Sequence, residues 1–158
     1  MKLNKLLIPN KVLATILLIV SFIGFLDASY LAIMHFQGVP PNCSVLEGCA
    51  QVTTSKYAVM AGIPVALLGA LYYLTVFLLV IFYLETKKRA VLRLVSYLTI
   101  IGFLASGYFV YLQLFVISYI CIYCMVSAIT STTLFVAGML TRRDPLPEEL
   151  SPPGVIGI

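Results

Sequence analysis

Charge is what this sequence has least of. Only 10% of its 158 residues are charged, and between Leu94 and Thr141 there is no charged residue at all. A soluble domain of this length carries a charged shell about twice as rich, so a water-exposed globular fold is excluded. The basic residues form no patch of the kind that follows a phosphate backbone, which removes nucleic acid as a partner. No internal repeat is found, and no second domain is expected. With 61% hydrophobic residues and a mean hydropathy of +1.07, the class that remains is an integral membrane protein.

A helix needs roughly 20 apolar residues to cross a bilayer. Four stretches qualify: Val12 to Met34, Pro64 to Leu84, Leu94 to about Leu112, and about Tyr119 to Leu140. The expected fold is therefore all-α, a bundle of four transmembrane helices with a long outer loop, about residues 35–63, between helices 1 and 2. The expected organisation is a cytoplasmic N-terminus over 1–11, a membrane domain over 12–140, and a disordered cytoplasmic tail over 141–158. The first apolar run exceeds the signal-peptide norm of about 7–15 residues and has no clear cleavage site after it, so it reads as a retained helix.

The few charges that exist are placed unevenly. Lys2, Lys5 and Lys11 flank span one, Lys87, Lys88, Arg89 and Arg93 lie between spans two and three, and Arg142 and Arg143 follow span four. The positive-inside rule puts both termini and the middle loop in the cytoplasm, with only Lys56 on the far side. The outer loop reads "HFQGVPPNCSVLEGCAQVTTSKYAVMAG". Its Pro40-Pro41 pair stops helix 1, Tyr57 to Ala61 suits the membrane surface, and Pro64 suits the start of helix 2. Spans three and four are expected to turn near Gln113 and Ser118. Small residues at helical spacing, Ser21/Gly24/Ala28 and Gly102/Ser106, allow close helix approach.

All four cysteines fall on the outer side: Cys43 and Cys49 in the loop, Cys121 and Cys124 in "CIYC" at the outer end of span four. That is the oxidising side. Cys121 and Cys124 are three apart, so on a helix they share a face. If the last helix starts near Ser118, Cys121 lies in its first turn, where the dipole and free N–H groups lower a thiol's pKa. Three arrangements use these residues. A purely structural staple gains little from a Cys-x-x-Cys within one helix. A zinc site finds only one suitable pair, because the other spacing is Cys-x5-Cys, so no metal is expected. A relay between two dithiol pairs uses every cysteine.

Cys43 and Cys49 in the first outer loop, Ser55 six residues after Cys49, "GIPVALLGALYY" entering span two and "CIYC" opening span four together resemble the vitamin K epoxide reductase family, in particular its short prokaryotic homologues. The resemblance covers about residues 20–128. It implies a four-helix bundle around a quinone of menaquinone or ubiquinone type, with Cys121 and Cys124 as the active-site pair and Cys43 and Cys49 as the shuttle pair. Ser55 then matches a loop Ser/Thr that hydrogen-bonds the quinone or the reacting thiol. The implied activity is that of a thiol-disulfide oxidoreductase fed by a thioredoxin-fold, DsbA-like protein outside the cell membrane, and that protein is expected to be a separate partner and not a fused domain. Animal epoxide reductases carry a tyrosine four residues after the second active-site cysteine, where this chain has Ala128. Quinone is accordingly expected as substrate in preference to the epoxide.

Asp27 is the one charged residue inside a span, roughly two turns from the outer end of helix 1, and an intramembrane carboxylate points to a site. It is a candidate for handling protons or binding the quinone, against a structural hydrogen bond to a neighbouring helix. His35 reads as an interface residue.

Overall fold

The computed structural model describes residues 10–41 and 48–143. Cys43 lies outside the described residues, as do the expected terminal segments 1–11 and 141–158 apart from residues 10–11 and 141–143, which belong to the first and last helices. In chain order the elements are α1 (Asn10–Gln37), α2 (Gly48–Thr53), strands β1 (Val59–Met60) and β2 (Ile63–Pro64), α3 (Val65–Thr86), α4 (Arg89–Tyr111) and α5 (Ile122–Arg143). Four of the helical segments, Val12–Gln37, Val65–Thr86, Arg89–Ile117 and Ile122–Thr141, are long and apolar enough to cross a membrane.

These helices close a ring. α1 packs on α3 and α5, and α4 packs on α5 and α3. The inner faces meet in a core of Leu13, Leu17, Val76, Val80, Val95 and Leu134, each nearly or fully buried. The outer faces stay apolar: Phe22, Leu78, Ile101, Ile129 and Val136 are exposed. A helix that is apolar on every side has no water-facing stripe, and lipid is the solvent that suits it.

Small residues set the helix spacing as anticipated. A Cβ on Gly24 of α1 would collide with the Tyr73 ring of α3, and one on Gly102 of α4 would collide with Tyr72. Both tyrosines therefore pack closely against a neighbouring helix at a glycine. Tyr73 reaches α5, where its hydroxyl donates to the Ser127 carbonyl at 2.8 Å and shares a 2.8 Å hydrogen bond with Thr130 Oγ1.

Each chain reversal has a local cause. α1 ends where Gly38 takes φ +68°, with Gly38 N–H on the His35 carbonyl and Val39 N–H on that of Met34, and Pro40 then prevents continuation. Within the expected surface segment 57–61, Val59–Met60 form the first strand of a two-stranded hairpin, Val59 opposite Pro64 and Met60 opposite Ile63. Its two-residue turn, Ala61-Gly62, has positive φ at both positions, the geometry that suits the twist of paired strands. Pro64 occupies the N-cap of α3, next to the N1 position that proline favours.

The connection between α4 and α5 differs from expectation. The helix does not turn at Gln113; it continues through Leu112–Ile117 as a π-helical turn, and Gln113 is buried. The reversal comes at Ser118, which takes φ 59°. Tyr119 to Cys121 are irregular and α5 starts only at Ile122, so Cys121 precedes the first turn of the helix instead of lying in it. Its carbonyl accepts from Met125 N–H at 3.1 Å, which makes Cys121 the residue that opens the helix.

Candidate functional site

The site is built at one end of the bundle, where α2, the hairpin and the α4–α5 connection converge. α2 is only six residues long, Gly48–Thr53, and it is held by close packing. A Cβ on Gly48 would lie 2.6 Å from the Ile120 carbonyl oxygen and 2.9 Å from its nitrogen. Only glycine lets this helix start rest on the backbone beside Cys121.

The consequence is that the sulfurs converge. Cys49 is 1% exposed and Cys121 0% exposed, and with Val52 they form one buried cluster against which Ile117, Tyr123 and Cys124 pack. Cys49 is disulfide-bonded, whereas Cys121 and Cys124 are free thiols. The Cys124 thiol donates a hydrogen bond to the Cys121 sulfur. Together with the backbone N–H groups of Cys124 and Tyr123, and against the effect of burial, this holds the Cys121 thiol below its ordinary value, at about 7. Free N–H groups at a helix start favour a thiolate, so the expected effect appears although Cys121 stands just ahead of the first turn.

On the other side of Cys124 lies a cavity of about 360 Å³. Cys124 lines it and Cys121 does not. Every part of the fold contributes to the wall: Asp27, Leu31 and His35 from α1; Ser55 and Tyr57 from the loop; Leu68, Tyr72 and Tyr73 from α3; Ile101 and Phe109 from α4; Gln113 from the π turn; Ser127 from α5. The Tyr73–Ser127–Thr130 hydrogen bonds lie along its α3–α5 side.

The site residues expected from the sequence are thus brought together, apart from Cys43, which is outside the described residues. Cys124, Asp27 and Ser55 line one cavity, and Cys121 and Cys49 adjoin it. Ser55 also has a local task, since its hydroxyl donates to the Val52 carbonyl at 2.8 Å at the end of α2. Asp27 Oδ2 is buried and has no hydrogen-bond partner among the described residues. His35 lines the cavity as well as standing at the end of α1.

The model of the vitamin K epoxide reductase family matches residues 15–139. The chain belongs to that family. Among curated proteins no sequence match was found. Vitamin K epoxide reductase family members are quinone-linked disulfide oxidoreductases of the membrane. The cavity fits the ring of a quinone: its volume lies in the roughly 300–1,000 Å³ of small-molecule sites, its wall is mainly apolar, and a few polar groups, Asp27 with its unpartnered oxygen foremost, break that wall.

Three residues of this site are not singled out as site residues by the sequence: Gly48 and Tyr73, and Gln113, which is expected only as part of a turn. Only Gln113 carried a usable signal, as a lone amide inside a long uncharged run.

Proposed function

We propose that this protein oxidises the dithiol of a separate thioredoxin-fold, DsbA-like partner and passes the electrons through two cysteine pairs to a quinone in the bilayer. The single observation carrying this reading is a continuous line of sulfur: Cys49 packs on Cys121, Cys121 is hydrogen-bonded to Cys124, and Cys124 opens on the cavity. A structural staple needs neither the second pair nor the cavity beside it.

The chemistry balances in three exchanges. A thiolate of the partner attacks the loop disulfide formed by Cys43 and Cys49; the partner leaves as a disulfide and the loop as a dithiol. The Cys49 thiolate then attacks Cys121 of a Cys121–Cys124 disulfide, forming a Cys49–Cys121 bridge and releasing the Cys124 thiolate. Cys43 resolves that bridge, restoring the loop disulfide and freeing Cys121. A quinone, when bound, supplies an acceptor for two electrons and two protons. Re-forming the Cys121–Cys124 disulfide would give up the two electrons and two protons that such an acceptor takes.

This chain's own residues shape those steps. The lowered value of Cys121 makes it a good leaving and entering group near neutral pH. Asp27, whose buried Oδ2 has no hydrogen-bond partner among the described residues, stands on the cavity wall, placed to hold or move a proton. Ser55 offers its hydroxyl oxygen to the same space. Val52, Ile117 and Tyr123 keep water from the sulfurs. The charge distribution supports cytoplasmic termini, with the cysteines on the oxidising side of a cell membrane.

Cys124→Ala tests the reading. The purified variant should keep its melting temperature and lose all dithiol-dependent reduction of short-chain ubiquinone and menaquinone. A stapled scaffold would show no such turnover in the unaltered protein, and nothing to lose in the variant.

A further inference from the structure

Gln113 is buried to 2% exposure in a wall that separates two working parts of the site. On one side its Oε1 accepts the backbone N–H of Cys121 at 2.9 Å. On the other side it lines the cavity that Cys124 also lines. It is brought there by the π-helical turn Leu112–Ile117, which buries the consecutive residues Leu112 and Gln113 while Leu114, Phe115 and Val116 face outward. Single π turns within long helices are costly and concentrate where a side chain has to be re-aimed.

A carboxamide has two ends with opposite roles, an acceptor oxygen and a donor nitrogen. A backbone N–H can only donate, so contact with Cys121 assigns the oxygen to that side. The donor Nε2 is therefore the end left for the cavity, and no hydrogen bond donated by it is found among the described residues. A carbonyl oxygen in the cavity that Gln113 lines would supply the acceptor for that donor.

We propose that Gln113 is a bifunctional positioning residue: its oxygen fixes the turn that presents Cys121, and its nitrogen donates a hydrogen bond to a carbonyl of the quinone. This deepens the function proposed above and rests on it. The same amide then sets both the sulfur attacked by the loop and the depth at which the ring stands beside Cys124. Donation also draws electron density toward that carbonyl, which favours reduction of the ring.

The two roles are separable with Gln113→Glu. A protonated carboxyl can imitate both ends of the amide, whereas an ionised one keeps the acceptor and loses the donor. The other ionisable groups around the cavity and the sulfurs, Asp27, His35, Tyr57, Tyr72, Tyr73, Tyr123 and the two thiols, are common to both proteins, so the ratio of the two KM values at each pH isolates position 113. KM for short-chain ubiquinone or menaquinone should match the unaltered protein at acid pH and rise about tenfold above it as pH increases. Reduction of the Cys121–Cys124 disulfide by the loop pair, followed without quinone by alkylation, should stay within about twofold at acid pH. Gln113→Met, with neither end, should slow that exchange and raise KM at every pH. A flat KM ratio across pH for Gln113→Glu, or unimpaired exchange in Gln113→Met, overturns the proposal. If neither variant accumulates, the infrared carbonyl band of quinone bound to the unaltered protein decides: a band displaced to lower frequency supports it, and one at the free position overturns it. Failure of the proposed function is told apart because the unaltered protein would then reduce no quinone at all.

Discussion

Cys49 and Cys121 are the two least exposed cysteines of the described residues, and they lie in the same buried cluster although one comes from a polar loop and the other from an uncharged hairpin. Exchange between them requires a mixed disulfide. Removing Cys43 takes away the thiol that resolves it. Cys43→Ser protein, quenched in acid and alkylated, should yield a Cys49–Cys121 peptide on mapping, with the Cys124 thiol free. Finding Cys49 only as a free thiol, together with normal quinone reduction, would make the loop pair a staple.

Gly48 controls that approach. Gly48→Ala places a methyl 2.6 Å from the Ile120 carbonyl oxygen, so α2 has to lift off the backbone. Transfer from the loop pair to Cys121 should fall at least about tenfold, since a misplacement on the order of 1 Å is costly in a pre-positioned reaction. Direct reduction of the Cys121–Cys124 disulfide by a small dithiol should be unchanged. Equal slowing of both would show a general loss of structure.

Asp27→Asn keeps the size of the side chain and removes its proton chemistry. Reduction of the loop disulfide by a dithiol should remain intact while quinone reduction slows, or the yield of folded protein drops. Turnover and expression at the level of the unaltered protein would reduce Asp27 to a packing residue.

The pH dependence of Cys121 follows from its neighbours. In protein lacking both loop cysteines, thiolate absorbance of the reduced Cys121/Cys124 pair should rise with a midpoint at about 7, so the thiolate dominates above that pH and disappears below it. Cys124→Ala in that background removes the largest cause of the lowering, and the midpoint should move up toward the ~8.5 of a free thiol. An unmoved midpoint would assign the effect to the helix start alone.

The four-helix bundle was legible because it depends on a quantity a sequence states outright, the length of apolar runs, and the order of those runs leaves the loop that holds Cys49 and the connection that holds Cys121 at one end of the bundle. Asp27 was legible as a charge where charge is expensive. The start of α5 was not, because residues 118–124 contain no capping signal strong enough to distinguish Ser118 from Ile122 as the first helical position. Gln113 was misread as a turn because polarity within an apolar run marks either an exposed reversal or a buried partner, and the partner here is a backbone N–H across that reversal. Gly48 was invisible for a different reason. Its role is set by Ile120, a contact between distant parts of the chain that leaves no local pattern.

Leu68 and Ile101 line the cavity, and both are also exposed on the outside of the ring, 41% and 62% respectively. The cavity wall on the α3–α4 side is therefore continuous with the surface that acyl chains cover. An acceptor reaching it arrives by lateral diffusion within the leaflet, and the concentration that governs occupancy is its mole fraction in lipid. Adding empty lipid at constant total acceptor should then slow turnover in proportion, while enlarging the aqueous volume around the same vesicles leaves it unchanged.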